Sequence, residues 1–222
     1  MDHGTIKICR FLLLVVSVIL HELGHAWAAH RLGDDTAKRA GRITVNPLPH
    51  IDPFMTVILP LVLVVSGSPI IFGGAKPVPV NPFAFRHVSP RKGMMLVGAA
   101  GPLVNLLLML LCSLLLALLS GISPIFTLLL CHAILLNSLL FVLNMIPIPP
   151  LDGSRILAGL TPKNFARELM RLERFGLFFI FFLLFLFQSE FLSLVFSLAE
   201  LFIPASLLHS PPPPPIANGP LI

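Results

Sequence analysis

Long apolar runs separated by short polar segments dominate the hydrophobic pattern of this chain. The long runs lack the polar alternation of a half-buried strand, and their length suits helices that cross a hydrocarbon core of about 30 Å. They predict helices over 6–31, 94–119 and 125–146, a shorter apolar segment over 54–65 and a final apolar stretch over 175–203. The pattern predicts an all-α polytopic membrane protein with about four to six transmembrane helices.

The polar connections between the first runs carry short patterns that are typical of strands. Arg42-Ile43-Thr44-Val45 follows a glycine turn, and Val78 and Val80 alternate within the Gly/Pro-rich stretch 72–82. We therefore expect short strand-like insertions between the first spans. The segment 54–65 contains a proline and ends in Gly, Ser and Pro, so it either crosses the membrane or re-enters on the same side.

Composition excludes a disordered chain and a soluble globular domain. Of the 222 residues, 56% are hydrophobic and 11% are charged, against about 25% charged in a typical soluble protein. The formal charge of +5 comes from basic residues between the apolar runs, which indicates membrane topology rather than a nucleic-acid partner. We expect one membrane domain over 1–204 and a disordered Pro-rich tail over 205–222.

The first apolar helix carries three ionisable residues, in the sequence His21-Glu22-Leu23-Gly24-His25. A spacing of four residues puts both imidazoles on one helix face, where they are able to hold one Zn²⁺, with Glu22 beside them as a base for water. An ionisable side chain at membrane depth costs about 3 kcal/mol. Three such groups in an apolar helix therefore predict a bound metal.

A catalytic zinc ion takes three protein ligands, so a third ligand is required. Asp152 follows the proline-rich end of the run 125–146, and Gly153 after it permits a tight turn. Spacing and burial favour Asp152. His132, in the middle of a span, and His50, in a polar loop, are the alternatives.

Three motifs in this order resemble the site-2 protease family of intramembrane zinc metalloproteases. His21-Glu22-Leu23-Gly24-His25 matches the zinc-binding helix of that family, and Gly101-Pro102-Leu103-Val104-Asn105 matches a Gly-Pro-x-x-Asn element on a later span. The segment from Asn144 to Gly153 matches its asparagine-to-aspartate segment. The stretches 41–47 and 75–82 resemble the compact prokaryotic branch, without an appended regulatory domain.

The resemblance implies a role for each matching residue. His21, His25 and Asp152 would bind one Zn²⁺ per chain, and Glu22 would activate water and pass its proton to the leaving amine. Asn144 would orient the substrate or stabilise the oxyanion, although an asparagine within a span is also a common helix–helix hydrogen bonder. Close packing around the site, or positioning of the substrate, is expected of Gly101, Pro102, Asn105 and Gly153.

The implied reaction is regulated intramembrane proteolysis, in which a zinc endopeptidase cleaves a peptide bond within the bilayer or at its edge. The implied partners are single-span membrane proteins or peptides and the lipid bilayer, with no nucleic acid. A non-catalytic membrane scaffold and a metal-binding or transport protein are the alternatives. Glu22 disfavours the scaffold, and the convergence of the polar residues on one cluster disfavours the transporter.

The distribution of basic residues predicts the orientation. If the segment 54–65 re-enters, 13 of the 15 Lys and Arg residues lie on one side, which the charge-bias rule assigns to the cytoplasm. Asp152, Gly101 and the two histidines then lie at a common depth near that side. We expect a prokaryotic cell-membrane protein with an external N-terminus and an active site nearer the cytoplasm.

Overall fold

A computed structural model describes residues 3–58, 74–119 and 123–204, together with the single positions Val62, Val65 and Leu207. The regular structure across these residues is helical, as the apolar pattern predicted. The α-helices in chain order are α1 His3–Arg31, α2 Thr36–Arg39, α3 Pro90–Leu119, α4 Pro124–Met145, α5 Asp152–Leu160, α6 Lys163–Arg171, α7 Gly176–Leu186 and α8 Gln188–Glu200. Short 3₁₀ turns lie at Leu48–His50, Pro82–Ala84 and Leu172–Phe175, and a π-helical turn lies at Pro53–Ile58.

The prediction of strand-like insertions is wrong for the part of the chain that the structure describes. Residues 43–45 form a bend, and residues 74–80 have no regular secondary structure. The beginning of the second predicted insertion, residues 72–73, lies outside the described residues.

The backbone groups of these two connections find partners that a strand ladder does not use. The guanidinium of Arg42 donates to the carbonyl oxygens of Lys76 and Pro77, and the Lys76 N–H donates to the His50 carbonyl over 2.8 Å. Pro77 and Pro79 have no N–H to give to a ladder. A cationic side chain therefore joins the two connections where short strand-like insertions were expected.

Helices α1, α3 and α4 pack against one another and form the body of the molecule. The core between α3 and α4 is apolar, and Ala199 of α8 closes it; its buried members on the two helices are Met109, Leu116, Leu130 and Ile134. The outward face of α3 exposes leucine side chains, at positions 103, 107, 110, 111, 114 and 118. A helix with apolar side chains on its exposed face as well as on its buried face suits contact with lipid.

Within the described residues, two helices are long and apolar enough to cross a bilayer, namely the 30-residue α3 and the 22-residue α4. The stretch from α6 to α8 bends by 85° at the break after Leu186 and adds a third span if it counts as one. By length and composition, the described residues therefore carry two spans, or three with the bent stretch, which is fewer than the four to six expected. The last apolar stretch folds into two short helices of 11 and 13 residues, and the segment 54–65 is only partly described.

Asp34 connects the end of α1 to the segment that leads into α3. Its carboxylate accepts hydrogen bonds from the Thr36 N–H at 2.9 Å, the Thr36 hydroxyl at 2.5 Å and the Asn81 N–H at 2.6 Å, and the residue is fully buried. Gly33 beside it has a φ of +105°, a conformation that favours glycine. This junction places the start of α3 next to the end of α1.

After α4, the chain returns to the end of the molecule where α1 ends and α3 begins. The basic residues of 155–174 lie on α5, on α6 and in the 3₁₀ turn Leu172–Phe175, and Pro162 separates the two helices. The residues of α5 pack on α3, where Gly98 lies against Arg155 and Gly159 lies against Met95. The tail 205–222 lies outside the described residues except for Leu207.

Candidate metal centre

His21 and His25 lie one turn apart on the face of α1 that packs against α3. Their side chains are buried, the ring centroids lie 4.7 Å apart, and the two Nε2 atoms lie 3.1 Å apart. This is the geometry expected of a spacing of four residues on one helix. The two imidazoles therefore present the same ring nitrogen to a common point.

Asp152, at the start of α5, adds a third polar atom at that point. Its Oδ2 atom lies 3.2 Å from His21 Nε2 and 3.1 Å from His25 Nε2, and the residue is 4% exposed. The prolines after α4 end that helix, and Asp152 then occupies the first turn of α5, where the helix dipole favours a carboxylate. The structure thus brings together the three residues that the sequence analysis predicted as metal ligands.

The other ring nitrogens show which atoms carry protons. His21 Nδ1 lies 2.7 Å from Asn105 Oδ1, and His25 Nδ1 lies 2.7 Å from the Val97 carbonyl oxygen. A carbonyl oxygen only accepts, so each Nδ1 must carry a hydrogen, and each neutral ring then has a lone pair on Nε2. Two lone pairs and a carboxylate oxygen face one another in a buried site, which requires a cation between them.

The donor set and its spacing fit a zinc ion. Two imidazole nitrogens and one carboxylate oxygen are the ligands of many catalytic zinc sites, which keep a fourth position open. In a tetrahedral site with zinc–ligand distances of about 2.0–2.1 Å, neighbouring ligand atoms lie about 3.3 Å apart. The separations of 3.1–3.2 Å between the three atoms in this structure are close to that value.

Glu22 lies beside the two histidines and is half-buried. Its carboxylate and the two imidazoles offer atoms within 4.8 Å of one another. Arg42, from the connection after α2, interacts electrostatically with Glu22; burial lowers the pKa of its guanidinium, and the attraction of Glu22 raises it. The arginine side chain remains charged under both effects. Glu22, the candidate base, therefore has a cationic side chain within electrostatic range.

Glycine at position 101 is required by the contact between α1 and α3. A Cβ atom on Gly101 would overlap His25 Nε2 and would lie 2.6 Å from His21 Cε1. Pro102 follows it in the interior of α3 and is buried. At the other side of the site, a Cβ on Gly153 would overlap the carbonyl of Met145. The two glycines therefore allow close packing around the ligands, whereas the tight turn expected at Gly153 is instead the first turn of α5.

Asn105 is a direct hydrogen-bond partner of His21. Its Nδ2 donates to Asn137 Oδ1 over 2.9 Å, and Asn137 Nδ2 donates to Ser17 Oγ over 3.0 Å. Sequence reasoning assigned Asn105 to helix packing and did not single out Asn137 or Ser17. A lone amide within a strongly apolar run was the available signal, but its partner on another helix cannot be read from the chain.

Arg155 is a further residue that sequence reasoning did not place at the site. Its Nη1 atom lies 3.6 Å from Asp152 Oδ1, which is the carboxylate oxygen turned away from the histidines. The side chain lies against Gly98 of α3, where a Cβ would come 2.9 Å from Arg155 Cβ. Asp152 therefore presents one oxygen to the histidines and the other to a cation.

The two alternative third ligands have partners elsewhere. His132 Nδ1 bonds the Leu128 carbonyl of its own helix over 2.7 Å, and His50 Nε2 bonds the Thr44 carbonyl over 3.0 Å. His50 is buried in the connection after α2.

Asn144 lies near the end of α4, next to Met145, whose carbonyl contacts Gly153. Its Nδ2 donates to the Leu140 carbonyl of the same helix over 3.0 Å. This places the backbone of Asn144 near Asp152 and gives its side chain a partner within its own helix.

Comparison with known proteins identifies related chains. Residues 10–129 match the model of peptidase family M50, a range that contains His21, Glu22, His25 and Asn105. The "Putative zinc metalloprotease YwhC" of Bacillus subtilis (strain 168) is 39% identical over 184 residues, which are 78% of this chain and 77% of that protein.

Two further relatives carry similar names. The "Putative zinc metalloprotease Rip2" of Mycolicibacterium smegmatis is 32% identical over 63% of this chain and 52% of its own length. The "Zinc metalloprotease MJ0392" of Methanocaldococcus jannaschii is 28% identical over 70% of this chain and 35% of its own length. No solved structure matches the chain. Because the family model covers more than half of the sequence, this chain belongs to peptidase family M50, the site-2 protease family of membrane zinc metalloproteases.

Proposed function

We propose that this chain is a multi-pass membrane endopeptidase that cleaves single-span membrane proteins or peptides within the bilayer or at its edge. His21, His25 and Asp152 hold the catalytic zinc ion, and Glu22 is the general base. Cleavage of membrane-spanning substrates makes the enzyme suited to regulated intramembrane proteolysis. The active site lies nearer the cytoplasm.

One observation carries the proposal. His21 Nε2, His25 Nε2 and Asp152 Oδ2 converge to within 3.1–3.2 Å of one another, while both Nδ1 atoms are engaged by acceptors outside the cluster. A buried cluster of acceptors is costly without a cation, so it supports a metal-binding role for these three residues.

A zinc ion bound there would act as a Lewis acid on the scissile carbonyl and would lower the pKa of water. Glu22 takes a proton from the attacking water and returns it to the leaving amine, a role that suits a half-buried carboxylate adjacent to the ligands. Arg42 brings a positive charge within electrostatic range of Glu22.

We assign to Asn144 the role of positioning the substrate. It lies at the end of α4, one residue before the carbonyl that contacts Gly153. Its Nδ2 carries two hydrogens, of which one donates to the Leu140 carbonyl and the other is able to donate to substrate or oxyanion. Gly101 and Gly153 serve the site by allowing the helices that carry the ligands to approach closely.

The setting of the ligands supports a substrate in the membrane. α3, which supplies Val97, Gly101 and Asn105, is apolar enough to cross a bilayer and exposes leucines on its outer face. α1 has 29 residues and would span about 43 Å. We infer that α1 is a further span, since its polar side chains Ser17, His21 and His25 are buried against protein.

The test is proteolysis of single-span peptides by purified protein in liposomes. The wild type should cleave within or beside the apolar segment, as mapped by mass spectrometry, and a zinc chelator should abolish cleavage. Glu22→Gln should keep stoichiometric zinc and lose cleavage. Glu200→Gln, at the end of α8, is the matched control and should retain both.

Each result separates this function from its alternatives. If Glu22→Gln cleaved the substrate at the wild-type rate, the role of Glu22 as the base would be overturned. Client binding or zinc transport that survives in Glu22→Gln, with no cleavage by the wild type, would favour a scaffold or a metal carrier.

A further inference from the structure

A chain of buried polar side chains connects three helices behind His21. His21 Nδ1 lies 2.7 Å from Asn105 Oδ1, Asn105 Nδ2 lies 2.9 Å from Asn137 Oδ1, and Asn137 Nδ2 lies 3.0 Å from Ser17 Oγ. Both asparagines are almost completely buried, at 0% and 2% exposure, and Ser17 is at 4%. This hydrogen-bonded chain of side chains therefore extends from the metal centre into the buried interior of the helix bundle.

A backbone carbonyl fixes the direction of every hydrogen bond in this chain. Asn137 Nδ2 also lies 2.8 Å from the carbonyl oxygen of Ala133, which can only accept. The amide nitrogen of Asn137 must therefore face Ala133, and its oxygen must face Asn105. Asn105 in turn directs its nitrogen to Asn137 and its oxygen to His21.

We propose that Asn137 is a positioning residue that holds His21 as the Nδ1–H tautomer, so that His21 Nε2 carries the lone pair needed for a metal. This inference rests on the proposed function, in which His21 is a ligand. It assigns the orientation of that ligand to a residue on α4, which itself contributes none of the three converging atoms.

The alternative tautomer of His21, with its proton on Nε2, shows why the bond from Asn137 to the Ala133 carbonyl matters. If the Asn105 amide were reversed, its NH₂ group would face His21 Nδ1 and would favour a proton on Nε2. That proton would point at Asp152 Oδ2 and His25 Nε2, which lie 3.2 Å and 3.1 Å away. Zinc binding would then require the loss of that proton and the rotation of a buried amide. The bond from Asn137 to the Ala133 carbonyl opposes this state because reversal would leave a buried acceptor unpaired and bring oxygen against oxygen.

Asn137→Leu is the principal test, since leucine has the same number of side-chain heavy atoms and the same branching at Cγ but can neither donate nor accept. Partners that orient metal-binding histidines typically contribute about 10- to 100-fold to metal affinity. We expect zinc affinity, measured by chelator competition on the full chain in detergent, to fall about tenfold. Asn137→Asp, whose neutral carboxyl group supplies both a donor and an acceptor, should restore most of that loss.

Ser138→Ala is the matched control. Ser138 is the next residue on α4 and is equally buried, but its hydroxyl donates to the Val195 carbonyl of α8 over 2.7 Å. Its substitution removes a buried hydrogen bond from the same helix without touching the chain to His21. It should lower thermal stability and leave zinc affinity unchanged, and equal losses of affinity in Asn137→Leu and Ser138→Ala would overturn the inference.

A spectroscopic measurement tests the tautomer without any substitution at Asn137. Nitrogen-15 NMR of histidine-labelled, zinc-free protein at alkaline pH distinguishes the two neutral forms, and the His21 signals are those absent from His21→Ala. The wild type should show the Nδ1–H form, and Asn137→Leu should show a larger share of the Nε2–H form. A wild-type His21 protonated on Nε2 would overturn the inference. If His21→Ala itself kept stoichiometric zinc, the proposed function would fail instead.

Discussion

Oδ2 of Asp152 lies 3.1 Å from Nε2 of His25, although the two residues belong to helices far apart in the chain. The contact joins the first turn of α5 to the second half of α1. It depends on α3, which packs against both helices and provides the glycine positions that let them approach. A carboxylate and an imidazole lone pair at this distance do not attract each other unless a proton or a metal ion lies between them.

The first prediction concerns the three ligands. Alanine substitution of His21, His25 or Asp152 should reduce bound zinc to well below one ion per chain and abolish peptidase activity, because two ligands do not hold zinc in a buried site. Zinc is measured by elemental analysis of the purified protein.

His132→Ala is the control for this experiment, because His132 bonds the Leu128 carbonyl of its own helix. It should retain zinc. Stoichiometric zinc in Asp152→Ala would show that the third ligand is another residue, and His132 and His50 would be examined next.

The second prediction concerns Gly101. Gly101→Ala should lower zinc affinity at least about tenfold, as expected when the orientation of metal-binding histidines is disturbed, because the added methyl group would overlap the His25 ring and press on His21. Gly159→Ala is the matched control, since it adds a methyl group to another contact with α3, against the Cβ and Cγ atoms of Met95 and away from the two histidines. It should lower thermal stability without loss of zinc. Equal zinc affinity in both variants would contradict the proposed reason for glycine at position 101.

The sequence alone was sufficient for the part of the site that obeys helix periodicity. His21, Glu22 and His25 are local to one helix, so their arrangement follows from residues four apart on one face. Asp152 was preferred because a carboxylate at the end of an apolar run needs a partner. The structure places that carboxylate against both histidines.

The parts that failed depend on contacts between distant segments. The strand pattern around Arg42 and Val78 was read without knowing that the Arg42 guanidinium binds the carbonyls of Lys76 and Pro77. The partner of Asn105 is also set by helix packing, because periodicity gives the face of a helix but not the residue that meets it. The number of spans after residue 175 stayed open, since apolar length does not show that the final stretch bends by 85° between two short helices.

The third prediction is a pH dependence of stability at Asp34. Burial raises the pKa of this carboxyl group. Hydrogen bonds from Thr36 and Asn81 lower the pKa by more than burial raises it, so the net pKa is below the ordinary value. A depressed pKa in the folded state stabilises the fold above the unfolded pKa of about 3.9, and this stabilisation is lost as the pH falls toward the folded pKa. The wild type should therefore lose stability in acid below about pH 4.

Asp34→Asn should show a smaller loss over the same acid range in thermal unfolding followed by circular dichroism. At neutral pH, Asp34→Ala should cost about 1–3 kcal/mol, because buried N–H groups of Thr36 and Asn81 lose their acceptor. Asp35→Asn is the control. Its carboxylate pairs with His30 at a partly exposed position, so removing the pair should cost less than about 1 kcal/mol. An unchanged acid profile in Asp34→Asn would contradict this assignment.

The last prediction concerns orientation in the membrane. The end of α1, the start of α3 and the residues of α5 lie at the same end of the molecule, since Gly101 contacts His25 and Gly98 contacts Arg155. The basic residues near these ends therefore share a side, which the charge-bias rule assigns to the cytoplasm. The N-terminus of α1 lies at the opposite end.

Cysteine labelling in intact cells measures this orientation, after the three native cysteines are replaced. Single cysteines at Ser89, just before α3, and at Thr161, just after α5, should both be shielded from an impermeant reagent. A cysteine at Thr5, near the start of α1, should react, because it lies at the opposite end of that helix. If Ser89 and Thr161 react while Thr5 does not, the orientation is reversed and the zinc site faces the outside. If all three positions are shielded, the N-terminus lies on the same side as Ser89 and Thr161, and the segment 54–65 must cross the membrane. If Ser89 alone reacts, α3 and α4 do not both cross.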